Sequence, residues 1–277
     1  MNRPVMSSSG HAVAADGASI AYTLHAAEGQ SRPRIALIHS LALDRSFWDG
    51  VVPLLTPHAD VLTYDCRGHG QSAKIKMSYT AELFAGDLAS LMDHVRWPRA
   101  IIAGCSMGGC IAQAFAGVYP DRVQGLVVMD STAWYGPTAP KDWRDRAATA
   151  ISKGLGALSA FQATRWVSDP FREAHADVVK KHIEVFLAND VDCYRATCEM
   201  LGDADLRHYQ QSLRVPLSVI VGEEDYATPV AMSEQIHRAV PGSTLSVLPK
   251  VRHLTPVECP AVIAEKILEL VARADDT

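Results

Sequence analysis

Apolar positions recur along the chain with two different periods. Short runs rich in β-branched and aliphatic residues occur at 20–24, 35–38, 61–64, 100–103, 123–129, 217–221 and 244–248, and each predicts a strand. Between them, apolar residues at spacings of three and four over 80–95, 107–118, 231–239 and 260–272 predict helices. Near-continuously apolar strands separated by amphipathic helices imply an α/β fold, a mostly parallel sheet flanked by helices on both faces. Ligands of such sheets bind at the carboxyl ends of the strands. The alternation stops between Ser131 and about Arg214, where helical patterns follow one another with no strand between them. Residues 1–130 and 215–277 are expected to form the core, and 131–214 a helical lid over the strand ends.

Composition narrows the class. A chain of 277 residues with 48% hydrophobic side chains can bury a sizeable core. Its 26 basic and 31 acidic side chains give a formal charge of -5 and form no block of one sign, so neither nucleic acid nor an anionic membrane is expected as a partner. The six cysteines (Cys66, Cys105, Cys110, Cys193, Cys198 and Cys259) show no C-x-x-C pair and no metal-ligand spacing, which predicts buried free thiols. The first 17 residues contain no apolar signal-like core and no apolar run is long enough to span a bilayer, so the expectation is a soluble, cytoplasmic protein with a short loose N-terminal tail. The sequence leaves the oligomeric state, homo-oligomer or monomer, open.

Candidate chemistry centres on "GCSMGG", residues 104–109, at the junction of a predicted strand and a predicted helix. Gly104 and Gly108 allow the two backbones to approach, so a tight turn can lift the Ser106 hydroxyl clear of the sheet. The start of the following helix offers N–H groups and a favourable dipole to a developing oxyanion. The plainer alternative makes Ser106 a helix N-cap. Cys105 is one position off the tip of the turn and reads as a packing residue. A serine nucleophile needs a histidine base and an acid to orient it, in the chain order Ser, Asp/Glu, His. Asp225 follows one strand and His253 follows the last one, both in loops on the expected rim; Asp130, which closes "LVVMD", is the alternative acid. His39 and His69 share that rim and read as structural. Backbone N–H groups of Leu41, in the loop after an early strand, and Met107 are the expected oxyanion donors. The scheme calls for no metal and no cofactor.

The oxyanion loop His39-Ser40-Leu41, the "DCRGHGQS" turn at 65–72, the serine turn, the Asp225 loop and His253 together resemble the α/β-hydrolases over nearly the whole chain. Within that superfamily the chain is most similar to 3-oxoadipate enol-lactonases, on "HSLALDRSFWD", "GCSMGG" and "CEMLGDADLR" at 198–207. The resemblance implies a serine hydrolase of a small-molecule ester or lactone, 3-oxoadipate enol-lactone or a related intermediate of aromatic degradation. C–C bond hydrolysis of meta-cleavage products and a ligand-sensing receptor with vestigial turnover are the alternatives. Where those lactonases carry an arginine suited to a substrate carboxylate, this chain reads "STAWYG", leaving Arg144, Arg146, Arg165 and Arg172 as the lid cations, most of which read as solvated. Arg144 and Arg165 are taken as substrate-binding candidates, with Trp134 and Tyr135, which either line an apolar acyl pocket or pack the lid.

Overall fold

The apolar runs lie side by side in one eight-stranded sheet, seen in a computed structural model that describes residues 5–27 and 32–275. The strands are β1 (Val5–Val13), β2 (Ser19–Ala27), β3 (Arg34–Ile38), β4 (Asp60–Tyr64), β5 (Ala100–Cys105), β6 (Val123–Met129), β7 (Leu217–Gly222) and β8 (Thr244–Leu248), in the spatial order β1-β2-β4-β3-β5-β6-β7-β8. From β4 through β8 every neighbouring pair is parallel, whereas β1 and β2 add an antiparallel edge. The parallel strands β4, β5 and β7 are buried at every position, as their unbroken apolar character requires.

The first strand corrects the expected loose tail. Residues 5–13 pair with β2 across a turn at Asp16-Gly17, where Gly17 has φ +88 and the Ala14 N–H donates to the Ala18 carbonyl at 2.8 Å. The strand is a polar one, "SSSGH", and is held by cross-strand bonds such as Ser9 Oγ to Thr23 Oγ1 at 2.9 Å, so hydrophobic patterning gave no sign of it. Residues 1–4 of the same stretch lie outside the described ones.

The helices are α1 (Val52–Leu55), α2 (Ala81–His94), α3 (Met107–Val118), α4 (Ala139–Lys153), α5 (Gly156–Trp166), α6 (Asp169–Ala174), α7 (Ala176–Leu187), α8 (Val191–Asp203), α9 (Arg207–Gln210), α10 (Val230–Ala239), α11 (Thr255–Glu258) and α12 (Pro260–Asp275). They flank the sheet in groups, α2 packed on α3 and α1 on α12. Helices α4 to α9 occupy the strand-free segment between β6 and β7; α4 packs along α8, and α5 bridges α4 and α7. An isolated bridge between Trp134 and Asp205, with the Leu206 N–H donating to the Ala133 carbonyl at 2.8 Å, closes the neck of this segment. No helix among the described residues is long and apolar enough to cross a membrane.

The tightest packing lies where β5 meets α3. A Cβ on Gly104 would collide with the Gly108 carbonyl, and one on Gly108 with the carbonyl of Ile38 on β3, both backbone atoms that cannot swing aside. Gly86, on α2, has only the Tyr119 hydroxyl near its missing Cβ, at 3.7 Å. Gly108→Ala should therefore destabilise the protein by about 3 kcal/mol, while Gly86→Ala should be neutral or stabilise it by up to about 1 kcal/mol. Paired urea unfolding curves measure the contrast.

Candidate active site

Ser106 sits between the last residue of β5 and the first of α3 with φ 55 and ψ -115, a conformation that non-glycine residues seldom adopt. Its backbone is over-determined. Its N–H donates to the Met129 carbonyl at 2.8 Å, and its carbonyl accepts from Gly109 N (2.9 Å), Cys110 N (3.1 Å) and Ser131 Oγ (2.7 Å). Those bonds hold the strained turn, and the turn aims the hydroxyl away from the sheet.

His253 lies in the loop after β8, and its Nε2 is 2.9 Å from Ser106 Oγ. Its Nδ1 is 2.8 Å from Asp225 Oδ2, in the loop after β7. Asp225 also accepts from Ala227 N (2.8 Å), Thr228 N (2.9 Å) and Thr228 Oγ1 (2.8 Å), so its lone pairs are engaged and its position is fixed. Burial alone would raise the Asp225 carboxyl, but the His253 imidazole and the Thr228 donors outweigh it and hold the group below the ordinary carboxylate range. For His253 burial opposes the charged ring, yet the Asp225 carboxylate, with Asp130 behind it, leaves its pKa above the ordinary 6.5. The structure thus brings Ser106, His253 and Asp225 into one hydrogen-bonded chain.

Asp130 is not in that chain. Its Oδ1 accepts from Gly222 N at 3.1 Å, and its Oδ2 from Thr255 N (3.0 Å) and Thr255 Oγ1 (2.7 Å), so it ties the end of β6 to the end of β7 and the start of α11. Burial, and then the charge of Asp225, push its carboxyl up. The buried Cys105 thiol points toward Asp130 Oδ2 at 3.6 Å, and burial raises it well above the ordinary thiol range, which leaves it unreactive. The other cysteines are also free thiols, all buried except the half-buried Cys259. Buried His39 donates through Nδ1 to the Ser40 carbonyl (2.8 Å) and accepts at Nε2 from Cys66 N (2.9 Å), which fixes a neutral tautomer; burial lowers its pKa to about 4. His69 packs edge-on against it, and burial takes its pKa down to about 3. Both brace the loop that carries Leu41. Met107, as the first residue of α3, has an N–H with no acceptor inside its own helix, and the Leu41 loop turns sharply at Ala42, where φ is 58.

A cavity of about 340 Å³ opens onto Ser106, His253 and Leu41. Its far walls come from the helical segment, and only some of the expected substrate-contacting residues reach it. Tyr135 and Arg165 line it. Trp134 does not: its ring lies under the Arg207 guanidinium at 3.9 Å and borders a separate surface hollow. Consecutive residues of an extended stretch point opposite ways, so Trp134 packs the neck and Tyr135 faces the cavity. Arg144 is also displaced from the site, exposed and paired with Asp203 at 3.0 Å on the outer side of α4. Arg172 pairs with Asp169 at 3.0 Å.

Arg146, two residues beyond Arg144 and so on the other side of the helix, lines the cavity instead. Its Nε donates to the Tyr194 hydroxyl at 2.8 Å and its guanidinium lies 5.1 Å from the Trp143 ring centroid. Among the described residues no carboxylate is within 4 Å of it. Trp143, Gln162, Trp166 and Met232 also line the cavity and were not singled out in the sequence; so does Asp142, which accepts from Thr138 Oγ1 at 2.8 Å. The signal for them was the three- and four-residue spacing of Trp143 with Arg146, and of Gln162 with Trp166, on helices whose inward faces only tertiary packing reveals. Among the described residues no cluster of three His, Cys, Asp or Glu side chains is arranged to hold a metal ion.

Comparison with known proteins identifies the family of the fold. The family model described as the alpha/beta hydrolase fold matches residues 33–260. The chain is 30% identical to 3-oxoadipate enol-lactonase 2 of Acinetobacter baylyi, over 90% of this chain and 92% of that protein. Among solved structures it is similar to the enol-lactonase of Burkholderia xenovorans, with a TM-score of 0.90, 30% identity and coverage of 95% of this chain and 100% of that one. A thermophilic esterase of Thermogutta terrifontis has a TM-score of 0.88 at 27% identity, with 96% and 99% covered. The kinship with enol-lactonases expected from the sequence holds, and the chain belongs to the α/β-hydrolase family.

Proposed function

We propose that this hydrolase cleaves a small carboxylic ester or lactone through a Ser106 acyl-enzyme, and that its substrate is 3-oxoadipate enol-lactone or a closely related intermediate of aromatic degradation. The observation that carries the reading is the hydrogen-bonded chain from Asp225 through His253 to Ser106, opening into a cavity whose wall holds the half-buried Arg146 without a carboxylate within 4 Å. A half-buried guanidinium with no ion partner facing a cavity suits an anion, and the enol-lactone carries a carboxylate. The relatives named as enol-lactonases support the same substrate class.

In this mechanism His253 Nε2 takes the proton of Ser106 Oγ as the oxygen attacks the carbonyl. Asp225 keeps Nδ1–H of the ring in place and stabilises the imidazolium that forms. The N–H groups of Leu41 and Met107 hold the tetrahedral oxyanion. Collapse breaks the acyl–oxygen bond, and the imidazolium returns its proton to the departing enolate oxygen. That enol stays tethered to the acyl chain and tautomerises to the ketone, which draws ring opening forward. Water, activated by the same imidazole, then attacks the acyl-enzyme and releases Ser106. Residues 131–214 act as the lid that supplies the cavity walls and excludes bulk water.

Ser106→Ala should lower kcat with 3-oxoadipate enol-lactone by about three to six powers of ten while leaving the circular dichroism spectrum unchanged; near-parental turnover would overturn the nucleophile. Arg146→Met should raise KM for the anionic lactone by about 10–100-fold, the worth of a charge-assisted bond, and leave an uncharged ester of similar size within about threefold, as steady-state kinetics on the two substrates would show. The base works only when neutral, and Asp225 holds the His253 pKa above 6.5, so kcat/KM should rise with pH through a midpoint above that value. Asp225→Asn should move the midpoint down and reduce the plateau, which a pH–rate profile measures.

A further inference from the structure

The residue before His253 is a buried arginine that none of these steps uses. Arg252 is 9% exposed, and its guanidinium sits where three segments meet. On the lid side, Nη1 donates to the carbonyls of Thr164 (2.8 Å) and Val167 (3.2 Å) at the end of α5, and the two Nη atoms grip Asp169 at 2.9 and 3.2 Å. On the acid side, Nε is 3.6 Å from Glu224, and the guanidinium lies 5.4 Å from the ring centroid of Tyr226, so it touches both neighbours of Asp225. Its own backbone N–H donates to Glu258 Oε1 at 2.7 Å.

The bonds around it repeat the same connection. Ser168 Oγ donates to the other oxygen of Glu258 at 2.5 Å, Leu254 N donates to the Trp166 carbonyl at 2.8 Å, and Arg165 Nη1 donates to the Tyr226 carbonyl at 3.3 Å. The α5–α6 turn of the lid is therefore sewn to the loops on either side of the His253–Asp225 pair. Gln162, Arg165 and Trp166, on the same α5, form part of the cavity wall.

We infer that Arg252 is a positioning residue that holds the base, the acid and the α5 wall of the cavity in one register, so that the distance from His253 to Ser106 depends on the lid being seated. The inference rests on Ser106 and His253 acting as nucleophile and base. A helix C-terminus can be satisfied by water, and Arg252 instead brings a charge out of solvent to collect three carbonyl and carboxylate partners from the lid. Any shift of residue 252 passes through one peptide bond to His253, and displacement of a reacting group by about 1 Å costs about 100-fold in rate. Lysine, a point donor, reaches one or two of these acceptors and not the forked set.

The test reads the Ser106–His253 pair separately from substrate binding. The second-order rate of Ser106 sulfonylation by phenylmethanesulfonyl fluoride is measured by mass spectrometry, with kcat and KM on p-nitrophenyl acetate beside it. Arg252→Met should slow sulfonylation and kcat at least tenfold in protein that retains its parental circular dichroism, and Arg252→Lys should recover part of the loss. Asp169→Asn, which removes only the exposed half of the grip, should slow both about threefold. If folded Arg252→Met is sulfonylated at the parental rate, the arginine is only a structural strut and the inference is overturned. If Arg252→Met does not fold, Asp169→Asn and Glu258→Gln decide, and parental rates in both overturn it equally. Failure of the parental protein to be labelled at Ser106 would remove the nucleophile itself, and with it both this inference and the proposed mechanism.

Discussion

The close approach of two backbones at Gly104 and Gly108 is the constraint from which the rest of the site follows. Because α3 starts almost in contact with β5 and β3, Ser106 has no room for an ordinary strand-to-helix connection and takes a strained left-handed conformation. Strain of this kind, on the order of 1–3 kcal/mol, persists only where neighbouring bonds over-determine the backbone. Here Met129, Gly109, Cys110 and Ser131 provide them. The same geometry starts α3 directly after Ser106, so in the proposed mechanism nucleophile placement and oxyanion stabilisation would share one structural cause.

The electrostatics of the site depend on water being kept out, and burial alone would neutralise every charge there. His39 and His69 yield to it and stay neutral, which suits residues that brace a loop. Asp225 and His253 resist it because each supplies what the other lacks, an anion for an imidazolium and a donor for a carboxylate. Asp130 is a second buried acid within reach of the same field, but its donors come from Gly222 and Thr255 rather than from an imidazole, so it clamps strand ends and leaves the ring to Asp225.

Geometry encoded by neighbouring residues was legible in the sequence. The elbow glycines, the order of Ser106, Asp225 and His253, and the position of each at a strand end follow from neighbouring residues and from element order, and the strands from 123 to 129 and from 244 to 248 were bounded correctly by hydrophobic runs alone. The cavity wall was not legible, because which side of a helix between β6 and β7 faces inward is decided by the packing of α4 on α8 and of α5 on α7. Arg144 and Arg146 differ by two positions and lie on opposite sides of one turn, and no local pattern separates the solvated one from the one that lines the cavity. Trp134 and Tyr135 were split by backbone alternation in the same way. The strand Val5–Val13 escaped notice because its stability comes from pairing and a turn rather than from an apolar face.

The neck of the helical segment has a further consequence. The chain leaves the sheet after β6 and returns to it before β7, and these are adjacent strands. The Trp134–Asp205 bridge and the bond between Ala133 and Leu206 fasten the two crossings together close to the sheet. Everything beyond them is a loop already closed on itself, and the entropy of closing a loop rises only slowly with its length. Helices can thus be gained, lost or re-angled above the neck with little penalty to the sheet below. Such a scaffold can acquire new substrates by rewriting one contiguous stretch of chain while the machinery that breaks the bond is inherited unchanged.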